Sequence, residues 1–257
     1  MEPTPETWIT ALRHSHDALR ANVEPLGEER LRQRSYCSEW SIAQVLSHLG
    51  SGAEIFALFL DAGLAGVEPP GPDTFPPIWQ AWNERSPQAQ AADSLAADEA
   101  LVKRLESLTP DERNRIRLHL FGMDLDVAGL TKLRLGEHAV HSWDVAVALD
   151  SAAKVRPEAV GLLIDGLGPL IGRAGQPAVG PQTVHVRTTE PDREFVLQTG
   201  EPVRLDEASS RSDGPRLTLP AEALIRLVYG RLDPDHTPPV EAVGVELDEL
   251  RKVFPGF

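Results

Sequence analysis

The most constraining stretch of this chain is Gly136-Glu137-His138-Ala139-Val140-His141-Ser142-Trp143-Asp144, set inside an uninterrupted helical pattern from about Leu125 to Leu149. An α-helix turns about 100° per residue, so Leu130, Leu133, Val140 and Ala148 share one apolar stripe that must face a core. Glu137, His141 and Asp144 fall inside that stripe. Buried ionisable side chains are costly unless they are paired or bound to a metal. A Glu and a His one turn apart on an inward face can grip one divalent ion. They can equally satisfy each other within a core, and the helix alone leaves both readings open. His138, about 100° round from Glu137, sits at the edge of the stripe. It is the rival to Glu137, since His138 and His141 are three apart.

Such a helix needs partners, and the sequence supplies three. Trp8, Leu12, Ala18, Leu19 and Val23 give an apolar stripe over Pro5 to Val23, with Thr4 or Pro5 starting the helix. His14 and His16 are placed on its wet side. Ser38 or Ser41 caps a second helix running to about Asp61, with Ile42, Val45, Leu46, Leu49, Phe56 and Leu60 inward. His48 stands beside that stripe, and Gly52 one turn on leaves room for a neighbouring helix or a ligand. Ser94 to Leu108 is the third, ended by Thr109-Pro110. Gly63 to Pro77 reads as an irregular, Gly- and Pro-rich stretch, after which Ile78, Trp79 and Trp82 rejoin the core. Thr109-Pro110-Asp111-Glu112 begins a turn or short helix, and the alternating Arg113, Arg115 and Arg117 read as a solvated or ion-paired strand.

The pattern predicts a four-helix bundle over residues 1–152. Beyond it the composition shifts. A linking helix over Pro157 to Leu170 precedes a Gly- and Pro-rich boundary. Strands follow at Thr183–Arg187, Glu194–Gln198 and Arg216–Leu219, then a helix from Ala221 to Tyr229. A short strand at Val243–Val245 and a helix from Leu247 to Phe254 close a small α+β domain over 153–257.

A net charge of −14 argues against a nucleic-acid partner, because affinity there comes from clustered Lys and Arg on phosphates. Cys37 is the only cysteine, so no internal disulfide exists, and it is read as structural. No signal-like start or apolar run of about 20 residues is seen, which points to a cytoplasmic protein without a membrane partner. CxxC, HExxH, GxGxxG, P-loop and GxSxG patterns are absent, which sets aside the commoner metalloprotease, nucleotide and hydrolase readings.

The second and fourth helices together offer His48, Glu137 and His141. Two imidazoles and one carboxylate make the three-ligand set of a catalytic Zn²⁺, which keeps a fourth position for water or substrate. Nickel, iron or manganese would use the same set with extra waters. Asp144, one turn past His141, suits a role in orienting that imidazole or in binding a ligand.

Two motifs carry a resemblance. Trp40-Ser41-Ile42-Ala43-Gln44-Val45-Leu46-Ser47-His48-Leu49 resembles the opening of the histidine helix in DinB-like bundles. Glu137-His138-Ala139-Val140-His141-Ser142-Trp143-Asp144-Val145-Ala146 is similar to the fourth-helix motif of the mycothiol-dependent maleylpyruvate isomerase family. The C-terminal strands and Leu224–Arg231 resemble, more loosely, that family's sterol-carrier-like second domain. The resemblance implies that His48, Glu137 and His141 hold a divalent metal, zinc first. It also implies mycothiol, a low-molecular-weight thiol, as cosubstrate. The implied chemistry is thiol-dependent isomerisation, or S-transfer onto a small electrophile, in a monomer or homodimer. An arginine of the second domain is implied to assist catalysis and thiol or carboxylate binding, with Arg231 the first candidate and Arg226 the second. The alternative is a non-catalytic metal- or ligand-binding protein that retains the bundle.

Overall fold

Thr4 accepts a hydrogen bond from the Thr7 amide and Pro5 occupies the first turn, so the chain enters α1 (Pro5–Val23) at once. The computed structural model describes residues 3–37, 39–208 and 214–256. It divides into two compact units, Met1–Lys154 and Val155–Phe257.

In the first unit a single turn, α2 (Glu28–Leu31), precedes α3 (Ile42–Ala65). Ser41 caps α3 in a full capping box with Gln44, and Gly66 ends it in the left-handed conformation at φ 66°. The alternative cap, Ser38, lies outside the described residues. By length and composition α3 could cross a membrane, but most of it is buried inside the protein. The stretch after α3 is less irregular than the sequence suggests. A short 3₁₀ turn, Pro72–Thr74, leads into α4 (Phe75–Asn83), whose prolines lie in the first turn where a missing N–H costs nothing. Trp82 is buried and its indole donates to Glu54 Oε2 at 2.8 Å, whereas Trp79 stays 43% exposed.

Gly50 of α3 is what admits Trp82: a Cβ there would lie 2.1 Å from the indole ring. A rigid indole cannot step aside as a flexible chain end can. We therefore expect Gly50→Ala to destabilise the protein by about 1–3 kcal/mol through overpacking. Urea unfolding followed by Trp fluorescence reads this, and an unchanged midpoint would show that α4 yields freely.

Ser86 caps α5 (Pro87–Ser107), which starts earlier than its large apolar residues indicate because its first turns are Gln- and Ala-rich. Thr109 and Glu112 form a capping box on α6 (Pro110–Arg115). This corrects the strand expected at Arg113 and Arg115: helix-start chemistry outweighs the alternation of charge. A hairpin of β1 (Leu118–Leu120) and β2 (Met123–Leu125) then delivers Asp126, the cap of α7 (Val127–Leu149).

The four long helices pack in a ring in which α1 meets α5 and α7, and α3 meets the same two. Leu19 and Val23 of α1, Val45, Leu46 and Leu49 of α3, Leu95 of α5 and Val145 of α7 form one continuous core. This is the four-helix bundle the sequence predicts, with α3 and α7 side by side.

The second unit opens with α8 (Pro157–Leu163) and α9 (Gly168–Ala174), separated by a 3₁₀ turn that splits the single linking helix expected from sequence. Its five-stranded sheet has the order β5-β4-β3-β6-β7, from β3 (Thr183–Thr189), β4 (Arg193–Gln198), β5 (Arg204–Glu207), β6 (Arg216–Pro220) and β7 (Glu241–Val243). β3 runs antiparallel to β4, with Val184 opposite Leu197 and Val186 opposite Phe195, and parallel to β6. The parallel step needs a crossover, and β4 and β5 lie within it. α10 (Ala221–Val228) packs against β3 and β6, and α11 (Leu247–Val253) closes the unit. The unit is small α+β as predicted; β5 is the strand that sequence reading missed, because Arg204-Leu205-Asp206-Glu207 has one apolar residue.

Candidate metal centre

His48 lies in the second turn of α3, and Glu137 and His141 lie one turn apart on the adjoining face of α7. The packing of these two helices sets their side chains together. Glu137 Oε2 is 3.4 Å from His48 Nε2 and 3.8 Å from His141 Nε2. The two imidazole rings are 4.6 Å apart, nearly edge to face. His141 is 12% exposed, His48 34% and Glu137 44%, so the group is anchored in the protein and open on one side.

Spacing shows what these atoms suit. Four ligands at about 2.0–2.1 Å around a tetrahedral ion stand about 3.3 Å from one another. The 3.4 Å to His48 Nε2 matches that value and is also a long hydrogen bond, whereas the 3.8 Å to His141 Nε2 is beyond hydrogen-bond length. One ligand atom from each of the three residues lies within 4.8 Å of the others.

Asp144, fully buried, fixes the orientation of His141: the Nδ1–H of His141 donates to Asp144 Oδ2 at 2.8 Å. With the proton on Nδ1, the Nε2 lone pair faces Glu137 and His48. Burial pushes the pKa of His141 below its ordinary 6.5, against the pull of Asp144, which favours the neutral ring that a metal requires. Burial alone would raise the Glu137 carboxyl, but the hydrogen bond from His48 and the fields of His141, His48 and Arg134 outweigh it and hold it at about 2.

A second cluster lies deeper in the bundle. His16 of α1, Asp98 of α5 and His138 of α7 are all at most 2% exposed. Asp98 Oδ2 is 2.8 Å from His16 Nδ1 and 2.9 Å from His138 Nε2, and Asp98 Oδ1 accepts from Arg134 Nη2 at 2.8 Å. Ser15 Oγ and Ser142 Oγ lie 2.8 and 3.1 Å from His138 Nδ1. These are hydrogen-bond lengths, shorter than the edges of a tetrahedral zinc site, and the three side chains are closed off from solvent. The cluster is a buried polar core in which Asp98 is the common partner of Arg134, His16 and His138.

That cluster corrects two expectations. His16 is buried, not on the wet side; only His14 is exposed. His138 is at the centre of the buried face of α7, not at its edge. Arg134 and His138 occupy core positions, so counting only apolar residues rotates the stripe away from its true centre. Asp98 went unread, although it stands between Leu95 and Val102 at helical core spacing. His16, with Leu12, Leu19 and Val23 at 4-3-4 spacing, carried the same signal. Gly52 does leave room, and Arg134 fills it: a Cβ at Gly52 would be 2.8 Å from Arg134 Nη1.

The C-terminal candidates differ in their surroundings. Arg226 is buried, its Nε and Nη2 donate to Glu222, and its Nη1 donates to the carbonyls of Arg231 and His236. It braces the second unit. Arg231, 8% exposed, follows Gly230 (φ 71°) and donates to the Tyr229 carbonyl.

Comparison with known proteins adds to this geometry. The crystal structure of the mycothiol-dependent maleylpyruvate isomerase superposes with a TM-score of 0.66 at 12% identity, covering 90% of this chain and 91% of that one. A point mutant of the same enzyme gives 0.66 at 13% identity, covering 90% of each. At such identities the superposition shows the fold. No curated protein sequence matches the chain. Residues 12–146, more than half of the chain and reaching from within α1 to within α7, match the family described as Mycothiol maleylpyruvate isomerase N-terminal domain, and the chain belongs to that family.

Proposed function

We propose that this protein is a divalent-metal-dependent enzyme that uses a low-molecular-weight thiol, mycothiol, for isomerisation of, or S-transfer onto, a small electrophile. The observation that carries the reading is the His48–Glu137–His141 set, at metal-ligand spacing and open on one side. Family membership supports the thiol. Bound there, a divalent ion of the zinc type would stabilise a thiolate at neutral pH.

The chain's own residues do the rest. To hold the ion, His48 and His141 would offer Nε2 lone pairs and Glu137 the compensating carboxylate charge. Asp144 keeps the proton of His141 on Nδ1 and the ring in place. A thiolate held at such a site adds to an electron-poor double bond. Rotation and departure give the isomer, and retention of the new C–S bond gives the S-transfer product. In S-transfer by addition the proton lost from the thiol ends on the carbon next to the new C–S bond; in isomerisation it returns to the departing thiolate. On the family's pattern Arg231 is carried forward as the first candidate to contact the anionic part of the thiol or electrophile, with Arg226, which pairs with Glu222, the second. The single cysteine suits a reducing cytoplasm.

The test is direct. The metal-loaded protein, given mycothiol and maleylpyruvate, should form the trans isomer; a panel of small electrophiles covers the transferase outcome. Activity unaffected by a chelator, or equal without thiol, would remove the reading. Arg231→Ala should weaken thiol binding by about 10-fold or more, as losing a charge-assisted contact does, and leave metal content unchanged. Isothermal titration with the thiol measures this, and unchanged affinity would move the contact away from Arg231.

A further inference from the structure

Resting on the metal reading above, the geometry points to Cys37 as a positioning residue of the centre, acting through Asp144 on His141. Cys37 lies in the connector before α3, 100 residues from Glu137 in sequence. Its thiol donates to Asp144 Oδ2 at 3.2 Å, the same oxygen that accepts from His141 Nδ1 at 2.8 Å. Cys37, His141 and Asp144 each bring one atom within 4.8 Å of the others. The chain of contacts therefore runs from the thiol to the carboxylate to the imidazole, and ends at the His141 Nε2 that faces Glu137 and His48.

The connector is built to hold this chain still. The Tyr36 amide donates to the backbone carbonyl of Asp144 at 3.1 Å. The Trp40 amide donates to the Cys37 carbonyl at 2.7 Å, and Ser35 Oγ donates to both the Cys37 and Trp40 carbonyls. The Trp40 ring, seated by the same contacts, lies 5.5 Å from the His48 ring and 6.4 Å from that of His141. One connector thus touches both histidines of the set from outside, independently of the thiol. The Tyr36 ring packs on Trp143 at 4.8 Å, beside Asp144 in α7. A cysteine read from sequence as packing alone is, in the fold, a donor to the carboxylate that orients a metal ligand.

A donor and a packing group respond oppositely to substitution. Serine keeps a donor and is more polar than the thiol; alanine keeps the small apolar character and removes the donor. Metal affinity of the full chain is measured for both variants by competition with a chelator, using Zn²⁺ as the probe, with circular dichroism to confirm folding. Cys37→Ala should lower Zn²⁺ affinity roughly fivefold, short of the 10–100-fold typical for groups that contact a ligand directly. Cys37→Ser should stay within about twofold of the unaltered chain, and Asp144→Asn should cost more than Cys37→Ala. If serine is the weaker binder and alanine matches the unaltered chain, Cys37 is packing and the inference is overturned. Equal affinity in all three proteins overturns it as well. Should Cys37→Ala fold poorly, Cys37→Val replaces it as the donor-removing variant, expected to lose Zn²⁺ affinity as alanine would; a valine variant within about twofold of the unaltered chain also overturns the inference. Failure of the metal reading looks different, since His48→Ala would then bind Zn²⁺ like the unaltered chain.

Discussion

His48→Ala should lose more than about 100-fold in divalent-metal affinity, since even groups one step removed from a metal ligand cost 10–100-fold. A three-ligand set tolerates no loss, because two ligands from one helix turn are all that remain. Glu137 and His141 both sit on α7, so His48 is the tie that makes the site a property of the packed bundle. Elemental analysis after dialysis against a fixed free-metal buffer reads the result. Glu137→Ala and His141→Ala should behave the same way. His14→Ala should not, because that ring is exposed on α1. His138→Ala should also keep the metal, since its ring belongs to the Asp98 cluster and not to the open set. Full occupancy in His48→Ala would place the metal elsewhere. Loss in His138→Ala with retention in Glu137→Ala would exchange the two neighbours on α7.

The second large effect is on stability. Asp98→Ala should destabilise the protein by about 3–5 kcal/mol, the cost of leaving a buried charge without its partner. Arg134 is at most 2% exposed and its Nη2 is shared between Asp98 and the Leu49 carbonyl. Without Asp98 its charge stays in the bundle uncompensated, and His16 and His138 lose their common acceptor. At roughly 2–4 °C per kcal/mol for chains of this size, the melting temperature should fall by on the order of 10 °C. A loss under about 1 kcal/mol would show that water enters and solvates Arg134.

The same residue gives a pH signature. Burial raises the Asp98 carboxyl, but the charges of His138 and Arg134 and the hydrogen bonds from His138 and His16 outweigh burial and hold it well below 3.8. Glu99, beside it on α5, is held at about 2 against an ordinary 4.5, where burial is outweighed by Arg13 and Lys103. Carboxyls with depressed folded-state values contribute stability that is present above their unfolded values and lost as pH falls through the folded ones. The unaltered protein should therefore lose stability from about pH 4.5 downward, with the Glu99 part gone near pH 2. Asp98→Ala should show a shallower decline over that range, measured by urea unfolding at stepped pH. Parallel curves would assign the acid loss to other carboxylates.

The sequence by itself determined the bundle. Thr4-Pro5, Ser41 with Gln44, and the long apolar periods each act through neighbours three or four residues away, and local chemistry of that range is written directly in the chain. That His48, Glu137 and His141 lie together was legible only in part: the helix period put Glu137 and His141 one turn apart, the likeness of two motifs joined His48 to them, and Glu137 lies at the open rim and not on the buried face. Tertiary structure alone decided the rest. His138 and Arg134 are core residues because Asp98, on another helix, accepts from them, and a single-helix period has no means to show a partner 36–40 residues away. Cys37 reaches Asp144 because the connector is folded over α7, a contact that spans 107 residues. Trp82 is buried because Gly50 leaves it a slot, a matter of close packing between two helices. The physical reason is the same in each case: hydrogen bonds, charge pairs and packing are set by distance in space, and only the bundle brings these atoms within reach.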